Sequence, residues 1–425
     1  MPSPYDFSIE NISQLVTCEP ELFDSQDEEG RAIGLVDDAC IAVSAGEVKW
    51  VGSQRDFVAA GLMASRVVDG GGLVVLPGLV DSHTHALFVG TREKEYEMRL
   101  KGKSYMEIAT SGGGIRSTVR TVRQASEEEL VRAGLARTDA MLRWGTTTVE
   151  IKSGYGLSVE AELKMLRAIR QIAREAEADI VPTFLGAHEI PDEFRDQRSS
   201  YVDLLIQDMI PAVGETGLAE FCDVFCERGV FSAQESKRIL LCARDWGMRP
   251  KLHADEFVTS GGAEVAGEVG AISAEHLVHA SEEGLEAMKE AGTVAVLLPG
   301  ASVGLGKLQF ADARKMLGMG LEVALATDFN PGSSMVHSLP IVSSLACSFM
   351  KMTPAEAILA VTSGGAKALG RESKIGRLTP GRQADIVLFD IPDFRYIPYH
   401  LGGATAKMVI KKGREVYMRD PKEDA

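Results

Sequence analysis

The sequence predicts an α/β fold: a (β/α)₈ barrel of the TIM type, with a small β-sandwich domain built from both chain ends. Three features predict it: β-type residues with tight turns at both ends, a middle where short apolar runs alternate with amphipathic stretches, and polar residues gathered where those runs finish. At 425 residues the chain exceeds what one hydrophobic core usually serves. The division expected is 1–76 and 376–425 for the small β-domain and 77–375 for the barrel.

At the start, residues 39–44 and 47–52 read as strands joined by the tight Ala45-Gly46 turn, with no helical segment in the first seventy residues. At the other end, 384–390 and 407–417 carry β-type residues, the second run broken at Lys412-Gly413 as in a hairpin. Neither end has enough strands to bury a face alone, and barrel termini lie close together, so the two ends are expected to meet. Between them, eight strand candidates fall at 75–82, 146–152, 179–187, 222–227, 249–254, 271–277, 293–299 and 322–328. The intervening segments have helical spacing. In 158–178, for example, Val159, Leu163, Leu166, Ile169 and Ile172 recur on one face, with Ser158 and Glu162 near capping positions. A doubly wound open sheet is the competing architecture, but no GxGxxG follows the first strand and the polar residues sit where barrel chemistry needs them.

The formal net charge of −16 repels phosphate backbones and anionic lipid, so neither nucleic acid nor a membrane is an expected partner. An anionic small substrate would then need its own local cation. No run approaches the roughly 20 apolar residues that span a bilayer, and residues 1–16 lack a basic segment followed by an apolar one; a cytoplasmic enzyme is expected. The six cysteines form neither a CxxC pair nor a disulfide framework, and Cys222 and Cys226 lie four apart in an apolar run that suits packing better than metal binding.

The first barrel strand finishes in Asp81-Ser82-His83-Thr84-His85, and alternation along a strand puts His83 and His85 on one face. Strand five finishes in His253-Ala254-Asp255-Glu256, strand six in Glu275-His276-Leu277, and strand eight in Ala326-Thr327-Asp328. C-terminal strand ends of a barrel converge on one mouth. His83, His85, His253 and Asp328 would there form a shell of three nitrogens and one oxygen around a metal ion, with room for a water. Glu256 is placed to carry protons without ligating, and His276 to polarise a carbonyl. His188 follows strand three. His279, His337 and His400 have no partner pattern and are set aside.

These residues resemble the amidohydrolase superfamily, in the PGxxDxHxH start at Pro77 to His85, the histidines of strands five and six and the aspartate of strand eight. The run from Gly376 to Asp390 is also similar to that superfamily's return strand. Within it, five motifs resemble the imidazolonepropionase family: Asp81 through Arg92, Ser111-Gly112-Gly113-Gly114-Ile115-Arg116, Lys152 through Leu157, His253 through Glu256, and Asp328 through Ser333. The resemblance implies hydrolysis of 4-imidazolone-5-propanoate to N-formimidoyl-L-glutamate. It assigns the metal, zinc or iron, to His83, His85, His253 and Asp328. Catalysis goes to Glu256, His276 and Asp328, and substrate contact to Arg92, Tyr155, His188, Glu256, Asn330, Gly332 and Ser333. A homodimer is the family's expectation. The guanidinium of Arg92 suits a carboxylate, Tyr155 and His188 can donate hydrogen bonds, and Gly332-Ser333 offers backbone amides.

The chain departs from the family after Ala301, where Ser302-Val303-Gly304-Leu305-Gly306 replaces bulky aromatics, so the loop over strand seven is expected to have its own shape. Two other functions fit parts of the pattern. A nucleobase-type deaminase would use the same His253, Glu256 and His276, although Arg92 and the triple glycine speak against it. A non-catalytic scaffold would have lost ligands, and none is lost.

Overall fold

The computed structural model describes residues 4–20, 27–103, 107 and 113–420. Its first strands are β1 (Phe7–Val16), β2 (Leu35–Ser44), β3 (Glu47–Ser53), β4 (Val67–Asp69) and β5 (Val74–Pro77). Ala45 and Gly46 both take positive φ, 53° and 75°, the conformation a two-residue hairpin turn demands. Two short helices interrupt this region, Glu28–Ile33 and Gln54–Ala59, where none was expected. The second forms because Ser53 accepts a hydrogen bond from the amide of Asp56, and it buries only Phe57, too little apolar periodicity to read from sequence.

The barrel follows, with β6 (Leu79–Asp81), β7 (Thr146–Lys152), β8 (Asp179–Ala187), β9 (Phe221–Cys226), β10 (Arg249–Ala254), β11 (Ser273–His276), β12 (Val294–Leu297) and β13 (Val323–Leu325) paired in parallel in that order. Strands β7, β8 and β10 match the expected bounds; the first does not. The run 75–82 is divided at Gly78, with β5 pairing β1 and β6 pairing β7. A Cβ at Gly78 would lie 2.2 Å from Thr147 Oγ1, so the chain crosses between sheets where only glycine fits. Strands β6 and β13 join through a parallel bridge between Thr84 and Phe329, flanked by Asp328 N–H to His83 O at 3.1 Å and His85 N–H to Phe329 O at 3.0 Å. The barrel's seam therefore lies at the histidine pair.

Helices such as Glu127–Leu142, Val159–Glu175 and Ala233–Asp245 pack outside the strands, each started by a serine N-cap at Ser126, Ser158 or Ser232. After the barrel, β14 (Ile386–Phe389), β15 (Met408–Lys411) and β16 (Arg414–Met418) return to the first sheet, where β14 pairs antiparallel with β5. Lys412 and Gly413, with φ of 51° and 73°, make the second tight turn. The ends of the chain thus share one eight-stranded sheet that curls around its own apolar core, and Glu47 on β3 bridges to Gln383 just before β14.

Candidate active site

Barrel topology brings His83, His85, His253, His276 and Asp328 together at the C-terminal strand ends, all of them buried. Asp328 Oδ1 lies 3.5 Å from His83 Nε2 and 3.4 Å from His85 Nε2, and His253 Nε2 faces His85 Nε2 at 3.2 Å. Both ring nitrogens of His83 and Nδ1 of His85 are buried without a hydrogen-bond partner among the described residues. Orphaned imidazoles aimed at a carboxylate are costly unless something binds them. Burial holds His83 and His85 well below the usual histidine range, which leaves their lone pairs free, and raises Asp328 to about 7. His276 and Asp328 take positive φ, 70° and 49°, which costs non-glycine residues energy and turns their side chains into the mouth.

Asp328 has one oxygen held and one available. Its Oδ2 accepts from Asn330 Nδ2 at 2.9 Å, with Ser333 Oγ at 3.4 Å, while Oδ1 faces the histidines. Asn330 Oδ1 also accepts from the amides of Gly332 and Ser333, both at 2.8 Å. The sequence reading had those amides offered to a ligand. They are spent in closing the turn that presents Asp328.

Glu256 stands beside this group, its Oε2 3.7 Å from His276 Nε2, and burial followed by the charge of Asp328 raises it well above the usual carboxylate range. Its loop is braced from below: Glu227 accepts from the amide of Phe257 at 2.7 Å, and Asp255 from the amides of Ser260 and Ala263. His279, set aside from the sequence, lines a small cavity with Glu256, His276 and Lys307. His337 packs against Trp144 and Phe329, and His400 against Tyr396. Cys222 and Cys226 are buried free thiols on β9.

On the opposite side, the His188 ring stacks on His85 at 4.9 Å and Tyr155 lies 5.4 Å from His188. His188 Nδ1 is 2.9 Å from Gly154 O, so it carries the proton there, and burial lowers this histidine to about 3. Burial also raises the Tyr155 phenol, which stays a donor. The loop bearing Tyr155 hangs on Glu162, whose carboxylate accepts from the amides of Gly154, Gly156 and Leu157 at 2.8–3.0 Å. Glu162 thus anchors a loop and does not cap its helix.

Arg92 reaches the mouth next to Gly332, where a Cβ would meet its Nη1 at 2.5 Å. It is not a free cation. Its Nε and Nη2 both lie 2.7 Å from Glu95 Oε2, and Arg99 is a second guanidinium nearby, donating to Gly332 O at 2.9 Å. Of the glycine-rich motif, Gly113 to Arg116 belong to the described residues; Ser111 and Gly112 lie outside them.

Beneath the histidines the barrel axis holds a charged lattice that sequence reasoning missed. Lys152 Nζ is 2.8 Å from both Glu150 Oε1 and Asp223 Oδ2, and Lys251 Nζ is 3.2 Å from Glu150 and 3.5 Å from Glu275. All five side chains are fully buried. The available signal was a charged residue at the centre of an otherwise apolar strand, as Asp223 is in β9. Orphaned nitrogens and a turned carboxylate together fit a divalent metal ion: His83, His85 and Asp328 offer donor atoms close enough to share one, and so do His83, His253 and His276.

A profile of the amidohydrolase family matches residues 74–417. The chain is 46% identical over 414 residues to the imidazolonepropionase of Alkaliphilus oremlandii, covering 97% of this chain and 98% of that relative. To the imidazolonepropionase of Symbiobacterium thermophilum it is 52% identical over 351 residues, covering 82% of this chain and 83% of that relative. Among solved structures, E. coli guanine deaminase shares the fold with a TM-score of 0.72 at 18% identity, over 97% of this chain and 99% of that one.

Proposed function

We propose a reaction for a chain that belongs to the amidohydrolase family and stands among the imidazolonepropionases: metal-dependent hydrolysis of the cyclic amide of 4-imidazolone-5-propanoate to N-formimidoyl-L-glutamate, in histidine degradation. The observation that carries it is the convergence of three imidazole nitrogens and one carboxylate oxygen at a barrel mouth that also holds Arg92. His83, His85, His253 and Asp328 would hold the metal, and zinc and iron both suit such donors. When bound, that ion lowers the pKa of a water from 15.7 towards roughly 7 and polarises the carbonyl.

The protein's own groups do the rest. Water adds to the ring carbonyl carbon, and the bond from that carbon to the ring nitrogen breaks. Glu256, raised by burial and therefore able to hold a proton, takes it from the water and returns it to the leaving nitrogen. His276, 3.7 Å from Glu256, is neutral and can hydrogen-bond the carbonyl oxygen. Arg92, steadied by Glu95, receives the propanoate, with Tyr155 donating to a remaining polar atom and His188 accepting at Nε2, its one ring proton being held by Gly154 O. The same reading carries an anionic small-molecule substrate and a cytosolic setting; no described helix is long and apolar enough to cross a membrane.

The test is a hydrolysis assay on metal-analysed protein, following loss of the imidazolone and formation of N-formimidoyl-L-glutamate. Metal-replete protein that leaves this substrate untouched but releases ammonia from a guanine- or cytosine-type ring would overturn the reading.

A further inference from the structure

The three histidines of the cluster are not supported alike. His83 and His85 meet a carboxylate through Nε2, 3.5 and 3.4 Å from Asp328 Oδ1, whereas His253 Nδ1 lies at ion-pair distance, 2.9 Å, from Asp223 Oδ2. The other oxygen of the same carboxylate accepts the backbone amide of His253 at 3.1 Å. Asp223 thus grips one residue at two points, by its ring and by its main chain. We propose that Asp223 is a positioning residue that fixes His253 as an Nε2 ligand, and that Lys152 holds Asp223 in place to do so.

This role rests on the metal site proposed above and on donor chemistry. An ionised carboxylate only accepts, so the proton of the His253 ring must sit on Nδ1 and its lone pair on Nε2. Nε2 is the atom that faces His85 Nε2 at 3.2 Å. Asp223 is fully buried in β9, where an unpaired carboxylate would take up a proton. Lys152 Nζ, 2.8 Å from Asp223 Oδ2, supplies the cation such a buried carboxylate needs. Lys152 is itself tied to Glu150, and Glu150 to Lys251, so the carboxylate cannot swing away. Asp223 and Glu275 also lie close enough to His83 and His253 to suggest a second cation there, but Lys152 Nζ, 2.8 Å from Asp223 Oδ2, already fills that role.

Two measurements test this on the full-length protein. In the zinc-loaded native protein with ¹⁵N-labelled histidine, His253, assigned by its loss in His253→Asn, should show a slowly exchanging Nδ1–H and a zinc-coordinated Nε2. A proton on Nε2, or coordination through Nδ1, overturns the proposal without any substitution at Asp223. In the second, Asp223→Asn should weaken zinc binding about 10- to 100-fold in chelator competition, the usual scale for losing such a partner. Glu275→Gln removes a carboxylate of the same lattice with no hydrogen bond to His253, and its loss should stay well short of tenfold. Equal losses in the two variants, or native affinity in Asp223→Asn, would reduce Asp223 to a structural ion pair, as would a second equivalent of zinc in the native protein. Native protein that binds no metal at all would instead sink the proposed function.

Discussion

Among the described residues both sheets have eight strands, yet their interiors are opposites. The small sheet closes over Ile9, Ile12, Ile41, Val75, Ile386 and Ile410, whose burial stabilises it at roughly 25 cal/mol per Å² of apolar surface. The barrel axis carries Glu150, Lys152, Asp223, Lys251 and Glu275 instead. Buried ion pairs rarely stabilise a fold better than apolar side chains of the same volume, so the barrel has given up stability along its axis. What it receives is a fixed field and fixed hydrogen-bond partners under the histidine cluster. Stability and chemistry are thus drawn from different sheets, and substitutions in each should fail in different ways.

The largest effect should come from the mouth of the barrel. His253→Ala or His83→Ala should abolish both tight metal binding and turnover, because the remaining donors hold the ion too weakly. Elemental analysis beside the hydrolysis assay checks this, and a fully active His253→Ala protein with stoichiometric metal would refute the site. Glu256→Gln should keep its metal and lose roughly two to four orders of magnitude in kcat. Low metal content in that variant would make Glu256 a ligand.

The small sheet should respond through stability alone. Ile386→Ala, at a fully buried position between β5 and β15, should cost about 2–5 kcal/mol in urea unfolding while kcat at 25 °C stays native. A fall in kcat without a fall in stability would erase the division between the sheets. The smallest effect belongs to the rim. Arg92→Met should weaken use of the propanoate-bearing substrate by about 1.5–3 kcal/mol, or roughly 10- to 150-fold in kcat/KM, with metal content unchanged. Arg99, which stays close by, should hold the loss toward the lower bound. Equal activity on an imidazolone with and without its carboxylate in the native protein would show that neither arginine reads that group.

The same contrast explains what could be read from the chain beforehand. Strands β7, β8 and β10 were legible because compact β-type runs bounded by turns and helical spacing mark them, and the cluster of His83, His85, His253 and Asp328 was legible because each lies at or just past the C-terminal end of a strand run. The break at Gly78 was not, since the run through Val75 and Leu79 stays apolar across it and only the contact with Thr147 shows the crossing. The helix Gln54–Ala59 was missed because one buried side chain, Phe57, makes no period. The anchoring acids were missed for a different reason. Asp223 and His253 lie 30 positions apart, and Glu162 reads locally as one more charge on an amphipathic helix. Such partnerships are products of topology, and no local spacing records them.

The seam of the barrel has a consequence for how the protein is made. Asp81, two residues before His83, is hydrogen-bonded to Thr327, just before Asp328 and 246 positions further on. A ribosome must therefore finish the eighth strand before the first can acquire its last neighbour. Throughout most of synthesis the nascent chain holds an isolated histidine pair with no aspartate opposite, and it has no means of retaining an ion tightly. If Asp328 holds the ion as proposed, metal loading is expected late in the life of each molecule, and a product truncated before residue 328 should not retain metal tightly.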